Sequence, residues 1–95
     1  MTFTWDAAKN IFNLCKHGLD FADAGKIFRA PMLTTPDTRF DYGEDRYVGI
    51  GLLENLVVVV IFTEPEQDVI RLISLRKAVK HERIRYEQSL KDRLG

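Results

Sequence analysis

"LLENLVVVVIF", residues 52–62, contains an apolar run from Leu56 to Phe62 with no polar interruption. A strand of that composition is buried on both faces, which places it in the middle of a sheet. Glu54-Asn55 ahead of it is a two-residue connection, so the run turns back on the preceding segment as a hairpin. In that segment, Arg46 to Leu53, the residues Val48, Ile50 and Leu52 alternate with Tyr47, Gly49, Gly51 and Leu53. The two glycines leave room for a bulge or for close approach by another group. Downstream, Glu64 to Asp68 reads as a turn leading into a strand from Val69 to Arg76. Strict alternation puts Arg71, Ile73 and Leu75 on one face of it, and Ile70, Leu72, Ser74 and Arg76 on the other. Arg71, inside a strand, calls for a partner, because an unpaired buried charge is costly.

Towards the N-terminus, Thr2 to Trp5 forms a short leading strand. Asp6 is a helix N-cap, and Ala7, Ile11, Leu14 and Cys15 recur at helical spacing as the apolar stripe of a first helix. Gly18 ends that helix in a left-handed conformation, with Leu19 closing over it. Asp20 caps a second, short helix with a stripe of Phe21, Ala24, Ile27 and Phe28, which Pro31 stops. Met32 to Thr35 is a strand, and Pro36 to Asp45 is an exposed, mobile loop rich in turn residues. Lys77 to Leu94 is helical by propensity, with Val79, Tyr86, Leu90 and Leu94 on one side and Arg83 among them. The order β-α-α-β-β-β-β-α predicts one domain over residues 1–95. Its class is two-layer α+β: an antiparallel meander packed with two N-terminal helices and one C-terminal helix.

Composition narrows the function. The 95 residues suffice for one core, and 45% hydrophobic with 29% charged is the balance of a folded domain. The longest apolar run is far short of the roughly 20 residues that cross a bilayer, so no membrane partner is expected. The lone Cys15 and the unexported N-terminus point to the cytoplasm. Net charge is zero, yet the charges are sorted: Pro36 to Asp68 carries eight acids against two bases, and Val69 to Gly95 eight bases against three acids. That basic C-terminal segment suits phosphates or an acidic partner, although a solvated helix face has the same count.

Individual residues admit two readings each. Lys16 and His17, in the last turn of the first helix, suit the helix dipole as cations. His17 also titrates near neutrality and so can act as a general acid or base, with Lys16 holding a phosphate. Glu44 and Arg46 are either a local ion pair or a carboxylate and cation at a reaction centre. Arg76, at a strand end, either bridges to Glu82 or forks a phosphate. Lys80 and Arg83 line one face with Arg76 if the helix begins early, and a solvated face explains them equally. Tyr86 either packs in the core or stacks on a base. No spacing of His, Cys or carboxylates implies a metal, and no phosphate loop or cofactor motif is present.

Taken together, "WDAAKNIFNLCKHGLDFADA", "GEDR" and "RLISLRKAVKHERIRYE" resemble the BrnT family, the toxin half of bacterial type II toxin–antitoxin pairs. The likeness runs over nearly the whole chain and includes Trp5, Asn13, the Lys16-His17-Gly18 triplet, Glu44, Arg46, Arg71, Arg76, Glu82 and Tyr86. The family's Ile-Ser-Ala-Arg stands here as Ile73-Ser74-Leu75-Arg76. The resemblance implies a RelE-like fold and metal-independent endoribonuclease activity that arrests translation, with no cofactor. It implies neutralisation by a BrnA-type antitoxin, contact with operator DNA only through that antitoxin, and a dimer or a heterotetramer with it. It implies catalytic roles for His17, Glu44, Arg46 and Arg76, and RNA contacts for Lys16, Lys80, Arg83 and Tyr86. The competing class is a non-catalytic module that binds RNA or the antitoxin.

Overall fold

The computed structural model describes residues 1–94, with a five-stranded sheet in the order β1-β5-β4-β3-β2. Its strands are β1 (Thr2–Thr4), β2 (Leu33–Pro36), β3 (Tyr47–Leu53), β4 (Leu56–Glu66) and β5 (Val69–Lys77). Helix α1 spans Ala7–His17, a 3-10 turn Phe21–Asp23 leads into the single-turn α2 (Gly25–Phe28), and α3 spans Lys80–Leu94.

β2 to β5 form the expected antiparallel meander, and Leu53 pairs with Leu56 across Glu54-Asn55. Glu54 takes a positive φ of 57°, the left-handed backbone such a tight connection requires. β4 is central and buried on both faces. Val58 and Val60 pack with Phe21, Ala24 and Ile27, whereas Val59 packs with Ile50, Ala78 and Tyr86 under α3. Gly49 and Gly51 permit the close approach: a Cβ at Gly51 would lie 2.8 Å from Ile27 and one at Gly49 2.7 Å from the Met32 sulfur.

Four expectations need correction. The sheet is mixed, because β1 pairs parallel to β5 through Thr2–Val69, Phe3–Ile70 and Thr4–Arg71. The alternation along β5 breaks at Ile73: Leu72 pairs with Phe62 and Ser74 with Ile61, so one residue bulges out. Leu75 therefore joins Ile70 and Leu72 in the core beneath α2. Arg71 is exposed, so water solvates its charge and no buried partner is called for. β4 continues through Glu64 and Pro65 to Glu66, with the register shift between Thr63 and Glu66 accommodating the proline.

The orientation of α1 also departs from its pattern. Asp6 caps it through Ala8 and Lys9, and Gly18 at φ 71° ends it, both as expected. Ile11, Leu14 and Cys15, however, are exposed, and the inward face is Asn10, Asn13 and His17. The reason is what the helix packs on. β1 covers only the first residues of the β5 edge, leaving the Leu75 backbone N–H and C=O to be satisfied. The Asn13 carboxamide bonds both, at 3.0 and 2.8 Å, and also donates to Leu19 O. Asn10 accepts from Phe21 N and donates to Asp20. A helix that docks on backbone polar groups turns its polar side inward.

The loop from 37 to 46 is organised around Asp37 rather than free. Its buried carboxylate accepts from Arg39 Nε and Nη2 and from the Tyr42 hydroxyl, and its N–H donates to Arg46 O.

Candidate active site

Because Asn13 ties α1 to the edge of β5, the last turn of the helix lies beside the end of that strand. Lys16, His17, Phe12, Ile73, Ser74 and Arg76 line a cleft of about 590 Å³. A second cleft of about 750 Å³ shares Lys16, His17 and Arg76 and continues past Val79, His81 and Glu82. Lys16, His17 and Arg76 thus stand where two depressions meet. Burial lowers the His17 pKa from its ordinary value, and the charges of Lys16 and Arg76 push it the same way. That shift favours the neutral imidazole, the form that accepts a proton.

Arg76 is held by two elements at once. Its Nη1 and Nη2 meet Glu82 Oε1 and Oε2 at 2.8 and 2.9 Å, the forked geometry of a bidentate pair. Glu82 sits in the first turn of α3 and also accepts from Val79 N at 2.9 Å, as a carboxylate at the third helical position does when it folds back on the cap residue. The Arg76 hydrogen bond, helped by the Val79 N–H and opposed by burial, brings the Glu82 carboxyl down to about 2. Arg76 is correspondingly raised, chiefly by Glu82. With 37% of its side chain exposed, it is a fixed cation still open to solvent.

The remaining candidates line neither of these two clefts. Glu44 and Arg46 pair with one another, Nε to Oε1 at 3.3 Å, and the Arg46 guanidinium lies 4.1 Å over the Tyr42 ring. They line a depression of about 530 Å³ that has no residue in common with the two clefts at His17. α3 begins at Lys80, so Arg76 belongs to the strand and does not continue a helical row with Lys80 and Arg83. Lys80 and Arg83 are exposed, and Arg83 donates to Ala78 O at 3.2 Å. Tyr86 is 2% exposed and its hydroxyl donates to Pro31 O at 2.8 Å. That ring has no free face on which a base could stack, so Tyr86 is a packing residue.

One cation escaped the sequence reading. Arg39, locked on Asp37, lies close enough for its charge to act on Arg76. Its only sequence signal was an acid two positions earlier, within a stretch that otherwise reads as an unstructured turn. Asp37 itself is brought down to about 2, first by the Arg39 hydrogen bond. Among the described residues no group of three or more His, Cys, Asp or Glu side chains converges as a metal ion would require. No described helix is long and apolar enough to cross a membrane.

The sequence profile of the family described as "Ribonuclease toxin, BrnT, of type II toxin-antitoxin system" matches residues 5–82. The crystal structure of the Brucella abortus ribonuclease toxin BrnT is similar with a TM-score of 0.71 and 32% identity, over 84% of this chain and 99% of that one. No curated protein sequence matches. A profile spanning Trp5 to Glu82 takes in α1, the whole sheet after β1 and the Arg76–Glu82 pair. The chain therefore belongs to the BrnT family, the ribonuclease toxins of type II toxin–antitoxin systems.

Proposed function

We propose that this chain cleaves RNA endonucleolytically without a metal ion, with His17 as general base and Arg76 and Lys16 as the cations at the scissile phosphate. The observation that carries this reading is the meeting of these three side chains at the junction of two clefts, with the His17 pKa lowered. Neutral His17 takes the proton of a ribose 2′-hydroxyl, and the freed oxygen attacks the adjacent phosphorus. Arg76 and Lys16 stabilise the charge of the phosphorane. The bond to the 5′ oxygen then breaks, water in the open cleft protonates that oxygen, the hydroxide so formed takes the proton back from His17, and a 2′,3′-cyclic phosphate remains. A positioned base contributes roughly 10²- to 10⁴-fold and a preorganised donor roughly 10²- to 10³-fold.

Glu82 fixes the Arg76 guanidinium before substrate arrives, so no ordering of that side chain is needed at the reaction step. Arg39, Lys80 and Arg83 bind flanking phosphates. Glu44 and Arg46, paired with one another in a depression that shares no residue with the two clefts, contact RNA running beyond the scissile phosphate. The neutralising partner is a BrnA-type antitoxin in the cytoplasm, through which alone operator DNA is reached.

The test is incubation of the purified chain with RNA in the presence of EDTA, beside His17→Ala and Arg76→Ala. Cleavage to cyclic-phosphate ends that is at least 100-fold slower in both variants supports the reading. Intact RNA with salt-sensitive binding would instead support a binding module.

A further inference from the structure

Helix α1 docks through polar residues, so its apolar side is left over. Ile11 and Phe12 are 64% and 66% exposed, and Leu14 38%, within an eleven-residue helix anchored on both sides of its buried asparagine. The apolar side continues inward: Ala8 and Phe12 form the wall of the 590 Å³ cleft whose floor includes Ile73 and whose far end is His17 and Arg76. A sequence that maintains helical apolar spacing on a face the fold does not bury has built that face for another molecule.

The rim identifies the occupant. α1 carries no acid from Ala7 to His17, while Lys9, Lys16 and Arg76 border the cleft and Lys16 lies 5.7 Å over the Phe12 ring. A second copy of this chain fits poorly, since a two-fold contact across this face would bring Lys9 and Lys16 of both copies together with no acid between them. RNA satisfies the rim but leaves Ile11 and Leu14 in water. An extended or helical peptide segment with apolar anchors flanked by Asp or Glu satisfies both.

We infer that the outer face of α1 and the adjoining α1–β5 cleft form the docking surface for an acidic, apolar-anchored segment of the antitoxin. This rests on the toxin reading above. One anchor occupies the cleft beside Phe12, and an acid reaches Lys16 and Arg76, so docking excludes the scissile phosphate from the same two cations. Inhibition is then direct competition at the site, and RNA and antitoxin cannot be held together.

The experiment measures binding of a purified BrnA-type antitoxin to the wild-type chain and to Ile11→Glu, together with RNA cleavage by each chain alone. Ile11 touches neither cleft at His17, so the variant should retain cleavage within twofold while losing at least 100-fold in antitoxin affinity. Lys9→Glu should lose at least tenfold. Antitoxin affinity within twofold of wild type in Ile11→Glu would overturn the inference, as would no binding by wild type, self-association of the chain that Ile11→Glu abolishes, or a matching loss of RNA binding in that variant. Because docking needs no turnover, absence of cleavage in an antitoxin-binding wild type would sink the nuclease reading and leave the docking surface standing.

Discussion

The side chain of Asn13 completes the backbone hydrogen bonding of Leu75, 62 positions along the chain, by accepting from its N–H and donating to its C=O. One carboxamide thereby substitutes for a missing stretch of β-strand and fixes the helix that carries Lys16 and His17 against the strand that carries Arg76. Replacing Asn13 by Ala removes both bonds and leaves two buried backbone groups unpaired, a loss of about 2–4 kcal/mol. A drop in melting temperature of about 10 °C or more is expected in a thermal denaturation series. RNA cleavage should fall as well at temperatures where the variant is folded. A drop below about 3 °C would mean that the edge of β5 is satisfied in some other way.

Glu82 and Asp37 make stability depend on acid. Both carboxyls are held at about 2, against ordinary values of 4.5 and 3.8. A depressed carboxylate stabilises the fold above its unfolded value and loses that contribution as pH falls towards its folded one. Stability should therefore decline between about pH 4.5 and 2. Arg76 is about one-third exposed, so the Glu82 share is on the order of 2 kcal/mol rather than the full shift. Urea midpoints measured across that range should show a shallower decline in Glu82→Gln and in Asp37→Asn; unchanged slopes would refute the assignment.

His17 should titrate below 6.5 in the folded chain. Protonation is disfavoured by burial and by Lys16 and Arg76, so cleavage by a neutral base rises with pH through that lowered value and then levels. Lys16→Gln removes one of the opposing charges and should move the imidazole titration, followed by NMR, upward towards 6.5. A wild-type titration at or above 6.5 is the result that would exclude His17 as a base neutral at physiological pH.

Tyr86→Phe separates packing from substrate contact. The ring stays buried and only the hydrogen bond to Pro31 O is lost, so stability should fall by about 0.5–1.5 kcal/mol while cleavage at saturating RNA stays within threefold. A hundredfold loss of cleavage without loss of stability would return Tyr86 to the reaction centre.

Arg39→Ala should weaken RNA binding and reduce its salt dependence by about one counterion, with the cleavage products unchanged. Binding that keeps the wild-type salt slope would place Arg39 outside the RNA path.

Local patterns settled much of this protein. The apolar run from Leu56 to Phe62 made β4 central, Glu54-Asn55 made the hairpin, Asp6 and Gly18 bounded α1, and Glu82 was already the natural partner for Arg76. Each depends on neighbours in the chain or on composition alone, which is why a linear reading reaches it. The rest depended on contacts between distant segments. Whether β1 ran parallel and which side of α1 faced inward were decided by the hydrogen bonds left open on β5, and whether β5 kept its alternation past Ile73 by its register against β4; both exist only once the sheet has formed. The same contacts drew His17 to Arg76, left Glu44 and Arg46 paired with one another outside the lining of those clefts, and brought in Arg39. Sequence supplies the chemical groups; their distances come from long-range pairing, because a backbone donor or acceptor acquires its partner only through tertiary structure.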